Sequence, residues 1–137
     1  MFVIKNFHPN IQKTEAFVND IEIIKVTEFN EEALEAFSKS FEKALNTGQS
    51  VIPIWIDSFG GEVYSLLGMI DIIKSSPVPV ATILVSKAMS CGSVLLSCGA
   101  DGMRFMSENS TIMIHEISIG TWDKMREVQS MTREAER

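Results

Sequence analysis

The stretch VSKAMSCGSVLLSCG (85–99) places Ser90 beside Cys91 where an apolar strand is predicted to give way to a helix. Either side chain could attack an acyl carbon, but a serine hydroxyl is a weak nucleophile unless a base takes its proton. A serine at a helix start is also the commonest kind of N-cap, and a cysteine in apolar sequence most often packs in a core. The pair by itself leaves the roles of nucleophile, helix cap and buried thiol open.

A general base for such a nucleophile must come from one of two histidines. His115 closes the apolar stretch TIMIH (111–115), whereas His8 lies in an N-terminal segment without clear periodicity. A histidine at the end of a buried strand is more often a hydrogen-bonded structural residue than a catalyst, unless a nucleophile faces it. His115 is therefore the candidate base, on the condition that the fold brings it to Ser90.

Backbone donors for an oxyanion are available at two positions. Adjacent glycines in IDSFGGEV (56–63) permit unusual backbone angles and close approach to bare N–H groups, although a tight turn would use them equally well. The chain lacks GxxxxGK[ST] and GxGxxG, so this is not a phosphate loop. The order AMSCG (88–92) weakly matches a nucleophile elbow, in which the amide after the nucleophile, here that of Cys91, points at the oxyanion.

The elements that must position these residues alternate between strand and helix. Apolar periodicity, the N-cap candidate Asn30, Gly48 after the first helix, and the breakers Pro77 and Pro79 define the segments. Pro53 removes a ladder donor and predicts a local irregularity in its strand. The predicted order is strand 21–26, helix 31–46, strand 51–57, helix 62–75, strand 79–85, helix 90–98 and short strands 102–106 and 111–117. This alternation predicts an α/β fold with a largely parallel sheet in a single domain.

Bulk composition narrows the function classes. The chain has 137 residues, 45% hydrophobic residues and a net charge of −6, which predicts a globular domain without the basic surface that nucleic acids require. No apolar run is long enough for a signal peptide or a membrane span, so we expect a cytoplasmic protein with no membrane partner. Cys91 and Cys98 on one helix would be roughly 10 Å apart, too far for a disulfide, and no zinc spacing occurs.

Three motifs at coherent spacing resemble ClpP, the serine peptidase subunit of the ATP-dependent Clp proteases. The family's N-S-P-G-G turn, A-A-S-M-G helix start and M-I-H strand end correspond to the segments 57–61, 88–92 and 113–115. The intervals from Gly61 to Ser90 and from Ser90 to His115 are 29 and 25 residues and match without gaps. The resemblance covers residues 21–122 as a core domain, preceded by an N-terminal arm, 1–20, and followed by the start of a handle-type helix, 123–137.

The resemblance implies a fold, a mechanism and partners. The fold would be the ClpP/crotonase-like spiral of βαβ units. Ser90 would be the nucleophile and His115 the general base, with the N–H groups of Gly61 and Cys91 as the oxyanion hole, in an endopeptidase that cleaves unfolded polypeptides. The subunit would form a heptameric ring and work with an AAA+ ATPase of the ClpX, ClpA or ClpC type. No metal or cofactor is implied, because ATP is used only by that partner.

Departures from the family pattern define the alternatives. Phe59 replaces a proline, and Cys91 replaces a methionine at a position where only the backbone is needed. The chain ends 22 residues after His115, before the family's triad aspartate, and Asp123 is not expected to replace it. The shortened helix also argues against a double ring. A non-catalytic ClpP-like subunit or fragment is therefore the second hypothesis, and a crotonase-like acyl-CoA enzyme is the third.

Overall fold

Strand and helix alternate through residues 21–115, the part of the chain that the computed structural model describes. The predicted N-terminal arm and the predicted helix start at 123–137 lie outside these residues. The alternation and the parallel sheet confirm the predicted α/β fold. The elements are β1 (Ile24–Val26), α1 (Glu31–Asn46), β2 (Ile52–Ser58), α2 (Val63–Lys74), β3 (Val80–Met89), α3 (Cys91–Ser97), β4 (Arg104–Met106) and β5 (Thr111–Met113).

The sheet is parallel throughout the described residues. β2 lies between β1 and β3, while β4 and β5 follow one another along the other edge of β3. β4 pairs with Thr82–Leu84 and β5 pairs with Lys87–Met89. Because the strands are parallel, the carboxyl ends of β2, β3 and β5 lie at one edge of the sheet, where sites in α/β folds usually form.

A register shift at the end of β2 separates the two parts of β3. Ile56 pairs with Leu84 and Ser58 pairs with Ala88, so a single residue of β2 faces three residues of β3. Bulges of this kind bend a strand and change its neighbours. This irregularity lies where β3 leaves β4 and begins to pair with β5.

Pro53, where an irregularity was predicted, pairs in regular register with Ala81. The Ile52 amide donates to the carbonyl of Pro79, the residue before β3, at 3.0 Å, so the backbone nitrogen of Pro53 faces the β1 side. β1 pairs only from Ile24 onward, and the Glu22 carbonyl just before it accepts the Gln49 side-chain amide at 3.0 Å. The missing N–H of Pro53 therefore leaves no ladder bond unmade, and the prediction for this position was wrong.

Helices cover one face of the sheet. Ile52, Ile54 and Ile56 of β2 are fully buried in a cluster with residues of α1, α2 and α3, whereas the alternate β2 side chains are half-buried. The sequence VIPIWID (51–57) is apolar at nearly every position, which predicts a strand buried on both faces. The face that carries no helix within residues 21–115 instead has a row of paired residues across four strands, Lys25, Trp55, Ile83 and Phe105.

The buried faces of the two longer helices agree only in part with the apolar stripes that helical spacing predicts. α1 begins at the predicted N-cap, where the Asn30 side chain accepts the Ala33 amide at 2.7 Å; of its predicted stripe it buries Phe37 and Phe41 but leaves Leu45 exposed. The stripe predicted for α2 consists of Val63, Leu66, Leu67, Ile70 and Ile73. Of these, α2 buries Leu66 and Ile73 together with Met69, but leaves Val63 and Leu67 exposed. The side chains of α2 itself are apolar on most sides of the helix, so periodicity alone does not select the buried face.

Candidate active site

Three neighbouring strand ends bring the motifs together. Ser58, at the end of β2, pairs with Ala88 of β3, and Met89 of β3 pairs with Met113 of β5. The Ser90 amide donates to the Met113 carbonyl at 2.8 Å, which places the Ser90 backbone against the end of β5. The glycine turn, Ser90 and His115 thus each follow one of three adjacent parallel strands. His115 is exposed and comes two residues after Met113, beyond the strand in which it was predicted to lie.

Ser90 is the single residue between β3 and α3, and its backbone is strained. Its φ of 52° and ψ of −116° make it the one non-glycine residue with positive φ within residues 21–115. Although it occupies the N-cap position of α3, its side chain makes no capping hydrogen bond. A conformation of this kind costs about 1–3 kcal/mol and occurs preferentially at functional sites. Ser90 is therefore an elbow between strand and helix, and helix capping does not explain it.

Local hydrogen bonds hold the elbow in this conformation. The Ser90 carbonyl accepts the Ser93 amide at 3.0 Å and the Ser93 hydroxyl at 2.6 Å. The amide of Ser90 is held by Met113, as described above. The backbone is therefore fixed on both sides of the Ser90 side chain, which is the arrangement that a preorganised nucleophile needs.

The glycine turn lies directly against Ser90. Gly60 and Gly61 have φ values of 102° and 156°, and the Gly60 amide donates to the Ser58 hydroxyl at 3.0 Å. A Cβ atom at position 60 would lie 2.9 Å from the Ser90 Cβ and 2.9 Å from the Met89 carbonyl oxygen. The close approach of the two backbones thus requires glycine here.

Replacing Gly60 with alanine is expected to lower the free energy of unfolding by about 2–4 kcal/mol, from positive φ and overpacking together. Gly48 is the matched control, because its φ is 74° but a Cβ there would meet nothing within 4 Å. Gly48→Ala is expected to cost only about 1 kcal/mol. Urea unfolding measures the free energy of unfolding of both variants. Equal losses of stability would show that a Cβ atom at position 60 meets no steric cost against Ser90.

Cys91 contributes a buried side chain and an amide at the start of α3. Its thiol donates to the Gly61 carbonyl at 3.4 Å, and the amide of Glu62, in the same peptide group, donates to the Phe29 carbonyl at 2.9 Å. The Gly61–Glu62 peptide is therefore held at both ends. Neither the Gly61 amide nor the Cys91 amide donates a hydrogen bond within residues 21–115. Amides without an acceptor in this part of the chain are available to stabilise an oxyanion.

The second cysteine has a different environment. Both cysteines are free thiols, as their predicted separation required. Burial is the largest effect on Cys98 and raises the pKa of its thiol above the ordinary value. Its thiol donates to the Val94 carbonyl at 3.3 Å, within α3. A raised pKa lowers the thiolate fraction at neutral pH, so Cys98 is poorly suited to act as a nucleophile.

Sequence reasoning missed Lys87, which reaches the glycine turn from β3. Its Nζ lies 2.6 Å from Asp57 Oδ1 and 4.5 Å from the centroid of the Phe59 ring. The predicted third strand ended before this residue, and the register shift opposite Asp57 has no sequence signal. A basic residue just after the end of a predicted strand does not by itself indicate a site.

Residues 21–115 contain no group of three or more His, Cys, Asp or Glu side chains arranged to hold a metal ion. None of the helices described above is long and apolar enough to cross a bilayer. Asp123, the only aspartate after His115, lies outside the described residues.

Comparison with known proteins shows one consistent similarity. The family model described as Clp protease matches residues 10–137. An ATP-dependent Clp protease proteolytic subunit of Deinococcus radiodurans is 48% identical over 69 residues, which are 50% of this chain and 34% of that protein. Proteolytic subunit 1 of Salinibacter ruber is 39% identical over 83 residues, or 61% of this chain and 36% of that protein. The matched region thus spans about a third of the length of these relatives.

Proposed function

Because this chain belongs to the Clp protease family, we propose that it is a serine-type endopeptidase subunit with Ser90 as nucleophile and His115 as general base. The N–H groups of Gly61 and Cys91 form the oxyanion hole in this proposal. The observation that carries the proposal is the strained backbone conformation of Ser90. Ser90 is the single residue between β3 and α3, and it lies against the glycine turn. Helix capping requires none of these features.

The proposed reaction proceeds by acyl transfer. The Ser90 hydroxyl attacks the scissile carbonyl while His115 accepts the hydroxyl proton. The developing oxyanion accepts hydrogen bonds from the N–H groups of Gly61 and Cys91. His115 then donates that proton to the leaving amine, and the peptide C–N bond breaks. Water attacks the resulting ester with His115 again as base, which releases the carboxylate product and restores Ser90.

Cys91 serves this mechanism through its backbone. Its side chain is only 3% exposed and its thiol donates to the Gly61 carbonyl. Reactive cysteines lie in partly exposed surroundings, whereas a buried structural cysteine is inert. These contacts support Ser90 over Cys91 as the nucleophile.

The proposal includes assembly and partners. We expect a homo-oligomeric, ring-forming subunit in the cytoplasm, supplied with unfolded polypeptides by an AAA+ ATPase. The sheet face that carries no helix within residues 21–115 supports a protein interface, since Trp55, Ile83 and Phe105 form an apolar row there. Trp55 and Ile83 are half-buried and the Phe105 side chain is 51% exposed. Partly exposed apolar rows can take part in protein interaction sites.

Mapping a covalent label tests the proposed function. Incubation with a fluorophosphonate, followed by trypsin digestion and mass spectrometry, is expected to place one phosphonyl group on Ser90 in the fragment 88–104. Ser97→Ala is the control, because Ser97 lies in the same fragment and its hydroxyl bonds within α3, to the Val94 carbonyl. Absence of label, or label on Cys91, would contradict the proposal, and thioester turnover that survives Ser90→Ala would favour an acyl-CoA enzyme.

A further inference from the structure

We propose that Lys87 is a positioning residue that holds the turn of residues 58–61 against Ser90. Its effect on reactivity rests on the proposed acyl-transfer function, whereas its hold on the turn does not. Lys87 touches no atom of the proposed reaction. It acts through Asp57 and Phe59, the residues that flank Ser58 at the start of the turn.

The side chain of Lys87 makes two contacts with the turn at once. Its ammonium group lies 2.6 Å from the Asp57 carboxylate and 4.5 Å from the centre of the Phe59 ring. The Lys87 and Asp57 side chains are 24% and 46% exposed, whereas the members of the surface pair Lys39–Glu35 are 73% and 69% exposed. Reduced contact of the ammonium group with water strengthens the ion pair. The Phe59 side chain is 73% exposed, so the cation–π contact is the weaker of the two.

The backbone of Lys87 is fixed independently of its side chain. Lys87 pairs with Thr111 of β5, and the next residue, Ala88, pairs with Ser58 of β2. Lys87 also precedes Ser90 by three residues in the same strand and elbow. It therefore joins the three strand ends that carry the glycine turn, Ser90 and the segment leading to His115.

The glycine turn needs such a restraint because its own residues supply little. Gly60 and Gly61 have no side chains to limit their backbone angles. Inside the turn, the Ser58 hydroxyl accepts the Gly60 amide, and the next anchor is the Gly61–Glu62 peptide. Loss of the contacts to Asp57 and Phe59 would release the start of the turn, and a donor that must reorganise during reaction stabilises an oxyanion less well.

The first arm of the test measures the turn itself. Amide hydrogen exchange of Gly60, followed by NMR in the intact chain, is expected to become about tenfold faster in Lys87→Met, because local opening becomes easier. Lys43→Met is the matched control: it breaks the 2.8 Å ion pair to Glu22, remote from the turn, and should leave Gly60 exchange unchanged. Equal exchange in wild type and Lys87→Met would overturn the proposal, whatever the second arm shows.

The second arm measures reactivity with a fluorophosphonate. The maximal labelling rate of Lys87→Met is expected to fall about tenfold, with the half-saturating probe concentration and the final stoichiometry unchanged. A purely structural role would instead lower the stoichiometry and leave the rate of the folded fraction unchanged, and that result would overturn the proposal. The double variant Asp57→Asn, Lys87→Gln can form an uncharged hydrogen bond between the two side chains. Its labelling rate is expected to exceed that of Lys87→Met and to remain below the wild-type rate.

The two arms separate this inference from the proposed function. If the wild-type chain takes up no label but Gly60 exchange rises in Lys87→Met, the proposed function fails and the hold of Lys87 on the turn stands. If the wild type is labelled and Lys87→Met is labelled equally fast despite faster exchange, the positioning role fails and the proposed function stands.

Discussion

Ser90→Ala is expected to abolish covalent labelling by a fluorophosphonate and all peptide hydrolysis by this chain. The substitution removes the hydroxyl that forms the acyl bond but keeps the Cβ atom that packs against Gly60. Alanine at a φ of 52° is strained to a similar degree as serine, so we expect stability to change by less than about 1 kcal/mol. Label incorporation and urea unfolding, measured on the same preparations, separate loss of the nucleophile from loss of the fold.

Cys91→Ala is the companion variant for this experiment. It removes the neighbouring thiol and its contact with the Gly61 carbonyl but retains the backbone N–H. Because the thiol contact is weak, we expect Cys91→Ala to retain label at Ser90. Label that persists in Ser90→Ala and disappears in Cys91→Ala would identify the thiol as the nucleophile and refute the assignment of Ser90.

His115→Ala is expected to slow labelling of Ser90 by about 10²–10⁴-fold, the range that general-base catalysis contributes. Without a base, the Ser90 hydroxyl must lose its proton to water during attack. The backbone contact between Ser90 and Met113 precedes His115 and does not involve its side chain, so the elbow itself should persist. The bimolecular labelling rate at neutral pH is the measurement, and His8→Ala, which alters the other histidine of the chain, is the control.

Imidazole added to the reaction distinguishes a base from a structural residue. If His115 acts as the base, free imidazole should restore part of the labelling rate in His115→Ala and have little effect on the wild type. A wild-type rate in His115→Ala would exclude it as the base. A reduced rate that comes with reduced stoichiometry and no response to imidazole would assign it a structural role.

Local interactions explain the parts of the fold that could be predicted from sequence. The first and last residues of α1 agree with the predicted helix, because the Asn30 cap and the left-handed Gly48 after the helix are determined by residues within a few positions of each end. The alternation of strands and helices follows from apolar periodicity in the same way. The buried face of α2 was predicted less well, since its apolar residues leave several faces equally favourable and contacts with the sheet decide among them.

Long-range register explains what could not be predicted. Pro53 is accommodated because the pairing of β1 with β2 begins only at Ile24, opposite Ile54, and the Glu22 carbonyl accepts the Gln49 side chain instead. This depends on a pairing between segments about thirty residues apart in sequence. The register shift opposite Asp57 depends equally on the pairing of β2 with β3. That shift places Lys87 beside Asp57 and Phe59, a contact that neither strand sequence indicates.

Residue types and spacing alone indicated which side chains are available for chemistry: a serine before a helix, a glycine pair after a strand and a histidine near the end of another predicted strand. They could not determine whether Ser90 caps a helix or forms an elbow, because both roles use the same residue at the same place. Tertiary structure decided this point, through a φ of 52° and the backbone of Gly60 packed against Ser90. The physical reason is that the elbow conformation is unfavourable locally and persists only where surrounding strands and turns hold it.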